Sequence, residues 1–168
     1  AAAENRIVVN VGSVAYGMAL DQAMSRSGLT MECHLKIDTG MNRLGLRARE
    51  GKVERTVSEA KTILAMKNLR FTGIYTHFVC ADTDDPRDRA FSETQYRVFC
   101  QVCAGLEGQG YQLGLRHCAA TVALLCHPDW KLDMVRVGML PLGQGLSARQ
   151  TAAMGFEPIL KWCAKVME

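Results

Sequence analysis

The sequence predicts an α/β protein: a partial (β/α)8 TIM barrel of about five parallel strands with helices outside. Three observations carry this. Short β-branched or apolar runs alternate with amphipathic segments, the β-α-β-α order that builds a parallel sheet. Charged and imidazole residues stand just after the strand ends, where a parallel barrel carries its site. A closed barrel needs eight strands and roughly 250 residues, more than these 168 supply.

Ile7–Val11 is the first β-branched run and reads as a buried strand. Ser13 is a suitable N-cap for a helix from Val14 to Arg26, with Val14, Met18 and Ala23 near helical spacing and Gly28 as the stop. Cys33–Ile37 is the second strand. It breaks at Asp38 into a loop with Gly40, Arg43 and Gly45. Val53, Val57, Ala60 and Leu64 then share one helical face, opposite Lys52, Arg55, Glu59 and Lys61. Phe71–Thr76 is the third strand and leads to His77 and the polar run Asp82–Asp88. Pro86, with Asp85 as cap, opens a helix to Glu107 whose inward residues are Phe91, Val98, Phe99, Val102 and Leu106, with Gly108 and Gly110 at its end. Gln112–Cys118 is strand four, and Thr121–Cys126 is a short helix stopped by His127-Pro128. Met134–Val137 is strand five. A glycine-bearing loop from Gly143 to Gly155 and an apolar stretch from Ile159 to Val166 follow.

The totals exclude several classes. A net charge of +3, dispersed along the chain, gives no basis for a nucleic-acid or membrane-surface partner. No apolar run approaches the roughly 18 residues of a membrane span. Seven scattered cysteines and no secretory signal read as reduced thiols of a cytoplasmic protein. Cys100 and Cys103 have zinc-like spacing, but mid-helix they read as core residues. The acidic run Asp82–Asp88 lacks the glycine and final glutamate of a calcium loop and reads as solvated. No metal site is expected.

Taken in order, the strand ends offer Lys36, Asp38 and Arg43, then His77, then His117 and Thr121, then Arg136 and Gly138. This basic, imidazole-rich rim with a glycine turn suits an anionic, aromatic, phosphorylated ligand.

Lys36-Ile-Asp-Thr-Gly-Met-Asn-Arg43-Leu-Gly45 resembles the signature of the alanine racemase family, which uses pyridoxal 5'-phosphate (PLP). Tyr75-Thr-His77-Phe resembles the family's Thr-His-Phe strand end, Arg116-His-Cys-Ala-Ala-Thr121 its phosphate-serine motif, and Met134-Val-Arg136-Val-Gly138-Met139 its Met-Val-Arg-x-Gly motif. The resemblance runs from about Val11 to the chain's end. It implies that His77 stacks on the PLP ring and that Arg136 faces its pyridine nitrogen. Thr121 and the backbone of Gly138 and Met139 would take the phosphate. It further implies that Arg43 serves the substrate carboxylate and that Lys36 is open to carbamylation. The family's asparagine and tyrosine near the phosphate are Ala120 and Leu142 here.

The family's Schiff-base lysine and its tyrosine base have no counterpart in these residues; Gly12 precedes Ala15-Tyr16-Gly17 where a lysine motif would need its lysine. The expectation is therefore the C-terminal half of a PLP-binding barrel over residues 1–156, with 157–168 beginning the connection to a further β domain. The resemblance implies interconversion of L- and D-alanine, with serine or another small amino acid as the alternative substrate, through a PLP aldimine by two-base proton transfer, and a homodimer as the assembly. The isolated chain is expected to be inactive. The competing class is a non-catalytic PLP- or phosphate-binding barrel module with a regulatory or interaction role.

Overall fold

The structure, a computed structural model, describes residues 1–81, 85–143, 155–157, 159 and 163–165. Its elements are β1 (Val9–Val11), α1 (Val14–Ser27), β2 (Met31–Asp38), β3 (Leu46–Arg47), α2 (Val53–Leu64), β4 (Leu69–Tyr75), α3 (Pro86–Glu107), β5 (Leu115–His117) and α4 (Thr121–Cys126). Single 3₁₀ turns follow at Pro128–Lys131 and Leu140–Leu142.

The strands lie in the order β1-β2-β4-β5, every pair parallel, as α/β crossovers require. The two-residue β3 pairs with the end of β2, at Ile37 and Asp38. A Cβ on Gly12, just past β1, would lie 2.9 Å from the Gly45 nitrogen, so β3 extends the line of β1. Strand alternation sorts the side chains. Val11, Cys33, Leu35, Ile37 and Ile74 are buried in the core with Ala60 and Ile63 of α2 and Val98, Phe99, Val102 and Leu106 of α3. The opposite face, a barrel's interior, carries His34 and Lys36 of β2, Tyr75 of β4 and His117 of β5. Lys36 pairs in register with Tyr75, and Tyr75 with His117.

Local chemistry accounts for the helix ends. Ser13 is extended and accepts from the Tyr16 nitrogen at 3.2 Å, while Gly28 closes α1 in the left-handed conformation. Asp85 caps α3 by accepting from the Arg87 nitrogen at 2.7 Å, with Pro86 in the first turn.

Four sequence expectations need correcting. The first strand is shorter than Ile7–Val11, because Ile7 and Val8 lie exposed outside the ladder. Met18 faces solvent, and α1 instead turns Gly17 to the core, where a Cβ would crowd the Met66 sulfur at 3.0 Å. Phe91 is exposed because it lies over the Gly40 backbone instead of entering the core. The expected fifth strand, Met134–Val137, is a single parallel bridge, Ala120 to Arg136; the fifth strand of the sheet is β3. Most of the Gly143–Gly155 loop and of the 157–168 connection, and half of the Ile159–Val166 stretch, lie outside the described residues.

Candidate functional site

The Asp38–Gly45 loop owes its shape to one buried carboxylate. Asp38 accepts from the backbone nitrogens of Gly40 and Asn42, each at 3.0 Å, and from Arg49 at 3.5 Å. Burial works against its charge, but those two backbone N–H groups and Arg49 hold its carboxyl below the usual range. Arg49 also donates to the Asp38 carbonyl at 2.7 Å and to the Asn42 amide oxygen at 2.6 Å, fixing Asn42 in the left-handed region at φ 57°. Asp38 is thus the loop's anchor, not a group on the pocket rim. Arg43, at the loop's tip, is exposed. Its charge still reaches inward, lowering the pKa of both Lys36 and His77.

A buried hydroxyl pair ties this loop to the next strand end. Thr39 and Thr76 share a hydrogen bond at 2.8 Å, and the Gln95 amide of α3 donates to Thr39 at 3.3 Å while accepting from the Val79 nitrogen at 3.2 Å. Thr76 precedes His77, so α3 fixes the Arg43 loop and the His77 segment together.

Arg136 is the hub. Its Nη1 donates to His117 Nδ1 at 2.7 Å, and the two Nη2–H groups are shared among the Thr76 carbonyl at 2.9 Å, His77 Nδ1 at 3.1 Å and the Cys118 carbonyl at 3.2 Å. Guanidinium cannot accept a hydrogen bond, so both Nδ1 atoms carry lone pairs and both rings are neutral with their proton on Nε2. Burial, then the charge of Arg136, pushes His77 down to about 4 and His117 down to about 3. His117 lies flat against Tyr75, with centroids 4.8 Å apart and planes 3° apart. Lys36 is buried, with Nζ donating to the Ile37 carbonyl at 3.1 Å and lying 4.9 Å from the Tyr75 ring centre. Burial, then Arg136, lowers it to about 8, against the opposing pull of Asp38.

Thr121 and Gly138 meet next door: the Gly138 nitrogen donates to the buried Thr121 hydroxyl at 3.0 Å. Together with His77, Arg136 and Met139 they line a cavity of about 280 Å³. A larger hollow of about 510 Å³ lies between α2 and α3 and is lined by none of the residues expected in the site. Of the expected residues, Lys36, His77, Arg136, Thr121, Gly138 and Met139 therefore gather at one end of the sheet, with Arg43 at the margin. The sequence reading missed His34, Arg49, Tyr75 and Gln95. His34 was findable, since it lies two residues before Lys36 on the same strand face. Gln95 was not, since nothing in a helical pattern marks a buried amide.

A parallel α/β sheet with helices outside and a cationic, imidazole-lined rim at its strand ends places the chain in the TIM-barrel class of fold. Within it the chain belongs to the alanine racemase N-terminal domain family, whose profile matches residues 1–144. It is 32% identical over 162 residues to the alanine racemase of Desulfovibrio desulfuricans, covering 96% of this chain and 42% of that one. It is 35% identical over 158 residues to that of Desulfosudis oleivorans, covering 90% and 40%. A solved structure of the alanine racemase from Streptomyces coelicolor A3(2) superposes with a TM-score of 0.78 at 30% identity, over 94% of this chain and 41% of that one. The architecture is that of part of a TIM barrel, and the chain spans about two fifths of the length of these relatives.

Proposed function

We propose that this chain forms the PLP-binding part of an amino-acid racemase that interconverts L- and D-alanine. One observation carries the reading. Among the described residues Arg136 has two carbonyls and two neutral imidazoles as acceptors and no carboxylate, so there its charge stands uncompensated beside the cavity. Buried charge is costly unless it is paired, and Lys36 and Arg43 add to it. Such a site favours an anion or an electron-rich ring nitrogen.

PLP fits the residues on both counts. Thr121, Gly138 and Met139 line the cavity together with Arg136; in this reading the first three would hold the phosphate and Arg136 would face the ring nitrogen. When bound, PLP supplies an electron-withdrawing ring that stabilises negative charge on the substrate's α-carbon. Arg136 would leave the ring nitrogen unprotonated, since a guanidinium only donates, and a weaker electron sink would favour simple removal and return of a proton. His77, held by Arg136 through Nδ1, offers a flat neutral ring to stack on the cofactor. Arg43 suits the substrate carboxylate. Lys36, with its pKa near 8, has enough neutral amine to take up carbon dioxide as a carbamate, releasing a proton. That carbamate would offer Arg43 an anionic partner.

Racemisation needs a proton acceptor on each substrate face, and we assign neither base to residues 1–168. The test follows the α-proton of L-alanine by NMR in deuterated water with PLP present. The expected result is exchange by the longer protein that carries this chain, as a dimer, and none by the 168 residues alone. Binding of PLP by the longer protein without exchange would favour the binding-module reading.

A further inference from the structure

The contacts of Arg136 continue past His117. His117 Nδ1 accepts from Arg136, so its single proton sits on Nε2, and Nε2 lies 2.9 Å from His34 Nδ1. His34 must then accept, which places its own proton on Nε2. The direction of every bond in this chain follows from the one group that can only donate. His117 is buried, and its Nε2–H has His34 as its partner.

The backbone is built to bring His34 there. The register of β2 against β4 shifts between Cys33 and His34, a bulge that sets His34 opposite Gly73 instead of Thr72. A Cβ on residue 73 would lie 2.6 Å from His34 Nε2, so only glycine leaves room for the ring. The rings of His34 and His117 are tilted at 57° with centroids 5.0 Å apart, an edge contact suited to a hydrogen bond and not a stack.

We propose that His34 is a positioning residue: by accepting from His117 it fixes that ring's tautomer and orientation, and through it the guanidinium of Arg136. Two neutral imidazoles absorb one N–H of Arg136 without adding negative charge, so the cation remains undiminished on the cavity side. A carboxylate in either place would hold Arg136 as firmly but would neutralise it. The tautomer chain stands on geometry alone; its effect on cofactor affinity rests on the PLP reading above.

The test uses histidine labelled with nitrogen-15, of which the protein has four, and three variants. In the unaltered protein His34, His77 and His117 should each show an unprotonated Nδ1 and a protonated Nε2, and the His117 Nε2–H should be protected from exchange. His34→Gln keeps an acceptor carbonyl and should keep that protected proton. His34→Leu, and Gly73→Ala, which displaces the ring, should lose it. A PLP titration read by absorbance should weaken about tenfold in His34→Leu, the size expected for stranding one buried donor, and within about twofold in His34→Gln. A protonated His117 Nδ1 in the unaltered protein overturns the proposal. So does a glutamine variant that behaves like the leucine one, or a leucine variant that matches the parent in both proton protection and affinity. If the unaltered protein binds no PLP, the cofactor reading fails, and the His117 proton still decides whether the relay exists.

Discussion

Gly45 has φ +118°, and a methyl there would stand 2.9 Å from both the Asp38 nitrogen and the Lys36 Cγ. Conformation and space both forbid a side chain, so Gly45→Ala should cost about 2–4 kcal/mol, read from urea unfolding. A second prediction at this scale concerns acid. His77 and His117 titrate at about 4 and about 3 when folded, against 6.5 ordinarily. The unfolded chain binds those protons first, so stability is fully present above about pH 6.5 and drains away as the pH falls towards 4 and then 3. The carboxyl of Asp38, held low, keeps its contribution until the pH drops further. Unfolding midpoints between about pH 7 and about pH 4.5 should fall steadily, and less steeply in a His77→Gln/His117→Gln double variant. A flat profile in the parent would contradict neutral buried rings. Residue identity at the rim was legible from strand-end position. That Asp38 anchors the loop was not, because a carboxylate's partners are set by how the chain turns back on it.

At the scale of elements, α3 is more than a packing surface. Gln95 is fully buried and bonds both the Thr39 hydroxyl and the Val79 nitrogen, while Ser92 donates to the Cys80 carbonyl at 3.2 Å. Replacing Gln95 by leucine strands a backbone N–H and should cost about 2–3 kcal/mol in chemical denaturation. A cost below about 0.5 kcal/mol would mean that the loops hold themselves. The helix itself was readable from Pro86, Asp85 and the spacing of Val98, Phe99, Val102 and Leu106. Its polar stripe was not, because Ser92 and Gln95 look like solvent positions until two loops close over them. The strand expected at Met134–Val137 failed for a related reason: apolar content marks burial, but a ladder needs a neighbour along its whole length, and only Arg136 has one.

Over the whole molecule, the ladder is open on both sides among the described residues. β1 pairs only with β2, and beyond β5 only the Arg136 bridge continues it. Ile7 and Val8 are 55% and 43% exposed at one side, and Leu115, Val137 and Met139 are 44%, 41% and 55% exposed at the other. Unpaired parallel edges bordered by apolar side chains associate. Sedimentation of the 168-residue chain should show concentration-dependent self-association, and a clean monomer at micromolar concentration would count against it.

By itself the sequence determined the β-α order, the caps Ser13 and Asp85, the strand-end chemistry and the family, because each is written in local spacing or in contiguous motifs. Only the tertiary structure decided that Lys36, Tyr75 and His117 stand in one row, that a bulge carries His34 to His117, and that Arg136 reaches Thr76, His77, His117 and Cys118 together. Alternation along a strand tells which side a residue faces. Register between strands, and the direction of a hydrogen bond, depend on distances that arise only once the strands are paired.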